Sequence, residues 1–213
     1  MSDTKMFMIG SITVPSTWIA LAIAFVIAFA VVRIKSGKHA ADVFSDALFY
    51  FIIVWKFSVI LTNFETVIKS PLSIIYFNGG IVGFYLGLAV AGARIVLEIG
   101  KNYSFERLVA LFMGAVSVQV VYQILMVVMN PGDWIVNVVT VGLFLGFGVL
   151  VWLNAYKSRS WAIQLTVLWM AVHVFVAAFQ EQGITGTPVI ATICMGLFFA
   201  ICLYWKRESE EKV

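Results

Sequence analysis

The feature that most constrains this chain is a series of seven apolar runs, each long enough to cross a bilayer. They lie at about 12–33, 44–63, 72–97, 107–129, 134–155, 160–179 and 187–205. Roughly 20 apolar residues in helical form span a hydrocarbon core. Within that core every backbone polar group must be satisfied inside the protein, so only helices and closed barrels qualify. A barrel needs apolar–polar alternation, which these runs lack. The expected fold class is all-α: a polytopic membrane helical bundle with seven transmembrane helices in a single integral domain, 1–213. Charged residues make up 12% of the chain, about half the share in a soluble domain. That composition excludes an ordinary soluble enzyme.

Charge in the connecting segments sets an expected orientation. Arg33, Lys35, Lys38 and His39 follow the first run, and Lys101 and Arg107 follow the third. Lys157 and Arg159 follow the fifth, and Lys206, Arg207 and Lys212 follow the seventh. The other connections, Asn63 to Ser70, Asn130 to Asp133 and Gln180 to Thr187, carry one lysine between them. The positive-inside rule then predicts an outer N-terminus and a cytoplasmic C-terminus in a multi-pass plasma-membrane protein. Trp18, Trp134, Trp161 and Trp205 lie near run ends, where interface anchors sit. Ser2, Asp3 and Lys5, with no small-residue cleavage site after the first run, predict that the N-terminus is not a signal peptide. The short outer connections leave no room for an extracytoplasmic domain.

The third run is the richest in glycine. Asn78-Gly79-Gly80 opens a strip continued by Gly83 and Gly87. Glycines at this spacing smooth one face of a helix, so that another helix or a ligand can approach the backbone. Two readings follow: helix packing, or a cleft for a lipid or substrate. Gly142 and Gly146 form a similar pair in the fifth run.

Polar groups inside spans are functional candidates. Lys56 has no carboxylate one turn away on either side and either snorkels to the interface or offers an ammonium to an anion such as a lipid phosphate. His173 is a hydrogen-bonding link between helices or a general base. Gln119 and Gln123 share a face of the fourth run, with Tyr122 beside them, and suit helix-to-helix hydrogen bonds. With the topology above, Lys56, Asn78, Gln123 and His173 fall at one depth, roughly 8–12 Å below the outer surface at 1.5 Å per residue. They could line a cleft open to the outer leaflet. Asp42 and Asp46 are expected to complement the dipole at the cytoplasmic start of the second helix. Cys194 and Cys202 read as inert core thiols. No cluster of ligating residues predicts a metal, no glycine-rich phosphate loop predicts a nucleotide cofactor, and no charged tail predicts nucleic acid.

Several stretches resemble the bacterial prolipoprotein diacylglyceryl transferase family. Ala41 to Asn63, ADVFSDALFYFIIVWKFSVILTN, is similar to its second helix, with Lys56 where an arginine is typical. Ser70 to Gly87, SPLSIIYFNGGIVGFYLG, is similar to the stretch that leads into the family's His-Gly-Gly. Tyr103 to Met129 resembles the helix that ends in its Gly-Arg-x-Gly-Asn-Phe signature, and Trp169 to Arg207 its last two helices. The resemblance implies a seven-helix bundle and a phospholipid ligand such as phosphatidylglycerol. It further implies a protein substrate or partner at the outer face, and lipoprotein biosynthesis as the context. The catalytic groups differ. Asn78 stands for the histidine, Gln123 and Met126 for the arginine and asparagine of the signature, and His173 and Ala177 for an arginine and a glutamate of the sixth helix. Asn130 to Asp133 replace the family's outer head.

The leading expectation is thus a membrane protein that binds a phospholipid or lipid-like ligand in an outer-leaflet cleft. Lys56 would meet the phosphate, with Asn78, Gly79, Gly80, Gly83, Gln119, Tyr122 and Gln123 lining the site. If it is an enzyme, it is a diacylglyceryl-type transferase with His173 as base. The alternatives are a small-solute transporter, against which the sequence shows no obvious inverted repeat or broken helix pair, and a non-catalytic helper subunit.

Overall fold

The computed structural model describes residues 5–9, 12–72, 74, 77–101, 104–130, 132–180 and 183–210. Among them a short hairpin, β1 (Met6–Ile9) and β2 (Ile12–Pro15), precedes the helices. These are α1 (Ser16–Phe57), α2 (Val59–Thr62), α3 (Phe64–Lys69), α4 (Gly80–Lys101), α5 (Phe105–Met129), α6 (Trp134–Asn154), α7 (Arg159–Ala177) and α8 (Thr187–Glu210). Among the described residues six helical runs are long and apolar enough to cross a membrane, and the first of them is Ser16–Thr62, 47 residues. The protein is therefore helical and multi-pass by length and composition.

The differences from the sequence expectation have local causes. The first helix starts at Ser16, not at 12, because Ile12, Thr13 and Val14 form a strand antiparallel to Met6–Ile9. Two of those three residues are β-branched aliphatics and Thr13 is β-branched as well, and Pro15 holds Val14 extended. The polar connection after the first run is helical throughout except at Gly37, with φ 80° and ψ −176°. Glycine alone adopts that geometry without strain. The third helix begins at Gly80, eight residues later than expected, and Phe77, Asn78 and Gly79 are non-helical. Gly80 has φ +59°, and the Asn78 side chain accepts a hydrogen bond from its N–H. Ser73, Ile75 and Tyr76 of that run lie outside the described residues, as do Tyr103, Pro131 and Lys212. Asp133 caps α6, accepting from Ile135 N at 2.7 Å, and Ser158 caps α7, accepting from Trp161 N at 3.2 Å. Both are the side-chain types that helix starts favour.

The chain forms two compact units: Met1–Gly37 with Phe105–Val213, and Lys38–Ser104. In the first unit α5 packs against α6 and α8, and α7 packs against both of those. Nine consecutive α5 residues, Leu108 to Val116, are buried. Phe112, Trp169 and Phe199 interlock edge to face at 5.7–5.8 Å. Ala20, Ala24 and Ala28, one helical turn apart along α1, are fully buried. Asn130 ties the start of α1 to the end of α5 through Ser16. At the other end Ser36 is hydrogen-bonded to Tyr156, and the Lys35 ammonium lies over the Trp152 ring. In the second unit the 38–57 helix packs against α4 through the glycine strip.

Candidate functional site

The sequence-predicted residues fall into the two units. Gln119, Tyr122, Gln123 and His173 belong to the first; Lys56, Asn78, Gly79, Gly80 and Gly83 belong to the second.

In the first unit a chain of hydrogen bonds crosses the helix bundle. His173, on α7, is fully buried. Its Nδ1 is 2.7 Å from Thr192 Oγ1 on α8. The Thr192 hydroxyl donates to the Pro188 carbonyl at 3.0 Å, so its oxygen must accept from Nδ1–H. That leaves Nε2 as the acceptor, and the Gln123 amide donates to it at 3.0 Å. Gln119 Nε2 sits 3.4 Å from the same nitrogen. The Gln180 amide donates to Gln123 Oε1 at 3.3 Å. Each donor role fixes the next, and the imidazole is neutral. Phe144 closes the ring's face edge-on at 5.3 Å. Half-buried Tyr122 is outside this chain. Gln123, His173 and Thr192 lie one to two turns from their helix ends, a layer roughly 6–9 Å deep at 1.5 Å per residue. Two buried polar atoms of this unit have no partner among the described residues, Thr140 Oγ1 and Trp169 Nε1.

In the second unit a one-residue interruption of the helix at Ser58 is stitched to the start of α4. Helix α1 stops at Phe57, and α2 resumes after Ser58. The Trp55 carbonyl accepts from Gly79 N and from Ser58 Oγ, both at 2.9 Å. The Trp55 indole donates to the Gly80 carbonyl at 3.2 Å. Gly79, Gly83 and Gly87 of the strip face this helix closely. A Cβ on Gly79 or Gly83 would come within 2.0 Å of Ser58 Oγ, and one on Gly87 within 2.8 Å of the Phe51 carbonyl. Of the two readings of the strip, helix packing is the one this geometry serves. Lys56 is half-buried in the last turn of α1, where a cation suits the negative end of the helix dipole. It sits beside Trp55 in the chain, so its backbone lies at the same junction as the start of α4. The interruption at Ser58 and the late start of α4 were not expected from the sequence, because the apolar runs continue through both positions.

The second unit also holds a charged cluster that the sequence reading missed. Arg94 on α4 bridges Asp46 Oδ2 at 3.1 Å and Glu98 Oε2 at 3.0 Å. Asp46 therefore serves an interhelical ion pair. The expected dipole role fails for it because the helix starts after Gly37, two turns earlier. The available signal was Arg and Glu at i and i+4 at the end of an apolar run. Comparison with family models, curated proteins and solved structures finds no match to this chain.

Proposed function

We propose that this is a plasma-membrane protein that binds an anionic phospholipid or lipid-like ligand at the junction of α1 and α4, resembling the diacylglyceryl transferases in helix arrangement. The observation that carries the reading is the Trp55 stitch. It joins the chain position of the Lys56 ammonium to the N-terminus of α4, whose dipole also favours negative charge. A phosphate would suit a cation and a helix N-terminus brought to one backbone junction. The site is a binding site on this reading, because His173 has both ring nitrogens engaged by neutral partners and no water-exposed surface. Ser16–Thr62, at 47 residues, would extend about 70 Å, over twice a hydrocarbon core. On this reading it crosses twice, with Gly37 between the crossings, giving seven spans. The basic residues then place the Gly37 end in the cytoplasm.

Native mass spectrometry of the purified protein beside Lys56→Met tests the assignment. A retained anionic phospholipid that is lost in the variant supports it, and equal retention in both overturns it. Incubation with phosphatidylglycerol and a lipobox peptide tests for transfer, with no mass shift expected. The interruption of the helix at Ser58 favours a second reading, a small-solute carrier, since discontinuous helices form substrate sites in transporters. Uptake into proteoliposomes that depends on Lys56 would select it.

A further inference from the structure

The hairpin β1–β2 offers an apolar surface that no helix covers. Residues 6–15, MFMIGSITVP, contain no charge. Strand geometry sends Met6 and Met8 to one face and Phe7 to the other, and they are 65%, 80% and 37% exposed. An isolated two-stranded hairpin is marginal in water, and exposed apolar patches mark contact with a partner or a membrane.

Its level in the first unit is fixed by three hydrogen bonds. Lys5 N–H and Ser16 Oγ both donate to Asn130 Oδ1, at 2.9 and 3.1 Å, and Ser16 N–H donates to the Lys5 carbonyl at 2.9 Å. Asn130 immediately follows α5, and α6 starts at Trp134. Trp134 is 72% exposed and Trp18 39%, and outward tryptophans at span ends mark the membrane–water interface. Pro15 joins Ser16 directly, so no linker can carry the hairpin away from that level.

We infer that β1–β2 lies in the headgroup–acyl boundary of the bilayer, with Met6, Phe7 and Met8 in contact with lipid. Lipid is the occupant because the hairpin joins without a linker to α1, whose Ile23, Val26 and Ile27 are apolar and exposed, and because residues 6–15 carry no charge with which to select a protein. The inference is independent of the Lys56 corner, whose failure would leave it intact.

Site-directed spin labelling tests it. The native thiols are removed by Cys194→Ser and Cys202→Ala. Nitroxides are then placed through Met8→Cys or, separately, Thr13→Cys, with Lys157→Cys as the water-exposed control. The full chain is reconstituted in phosphatidylcholine–phosphatidylglycerol vesicles. Oxygen collisions should exceed nickel-chelate collisions several-fold at 8 and 13, with the reverse at 157. Nickel collisions dominating at position 8 would put the hairpin in water and overturn the inference. So would dipolar broadening between labels, which would show a second copy covering it, or a label shielded from both reagents. Position 13 decides the matter should the position 8 variant fail to fold.

Discussion

His173 illustrates how a titratable residue can be purely a link. Its two nitrogens join α5 to α8 through Gln123 and Thr192. His173→Ala would leave both partners unsatisfied and open a cavity, for a loss of about 3 kcal/mol. Thermal unfolding in detergent should fall accordingly, with lipid retention unchanged in the folded fraction. Thr140→Val is expected to act the other way. Its hydroxyl is buried without a partner among the described residues, so the isosteric change should be neutral or stabilising by about 1 kcal/mol. The spacing of Gln119 and Gln123 was legible in the sequence, as was a histidine at their depth. Thr192 and Gln180 were not. A threonine in an apolar helix normally bonds its own backbone, and nothing in a linear chain shows which helix it will meet. Outside the spans, burial raises Tyr156 above its ordinary value of 10.0, while the Ser36 bond lowers it and nearby Glu106 raises it. A raised folded-state value favours the protonated phenol, so this contribution to stability is present below about pH 10 and is lost as pH rises through the folded value. Tyr156→Phe should remove that loss from the alkaline unfolding curve.

Glycines separate the helix contacts from the open faces. Gly87→Ala pushes a Cβ against the Phe51 carbonyl, which is backbone and cannot step aside. A loss of about 1–3 kcal/mol is expected. Gly142 and Gly146 have nothing within 4 Å of such a Cβ, so Ala at either should be tolerated or gain about 0.5–1 kcal/mol from helix propensity. Comparing the unfolding temperatures of the three variants measures the contrast. Sequence alone treated both strips alike, because spacing shows a smooth face and not what fills it. The same limit hid Arg94. Glu98 fell just beyond the expected end of the third run, and Asp46 lies far away in the chain. Arg94→Met should destabilise by about 1–3 kcal/mol, since Glu98 is only 15% exposed and would lose the Arg94 guanidinium. Adding Glu98→Gln should restore part of the loss.

The helical, multi-pass character of the whole molecule was legible from apolar run length alone, since bilayer thickness leaves few alternatives. The division into two units was not, because the apolar spans on either side of the polar stretch around Gly37 are alike in composition. The N-terminal hairpin also escaped notice: its apolar strands merge with the first span, and only Pro15 marks the change. Cysteine labelling from either side of the membrane checks the orientation. Lys157→Cys should react from the cytoplasmic side and Gly132→Cys from the outer side, and the opposite pattern would invert the proposed topology.

The second unit, Lys38–Ser104, leaves and rejoins the first at neighbouring places. Ser36 is bonded to Tyr156, and the Arg159 guanidinium lies over the Phe105 ring, 5.9 Å from its centroid. Both junctions therefore meet at the turn between α6 and α7. In the language of chain architecture, the second unit is a cassette inserted into the sequence of the first. A chain joined from Gly37 to Phe105 should still insert and fold, and the excised cassette, expressed separately, would reveal which half of the protein holds the ligand.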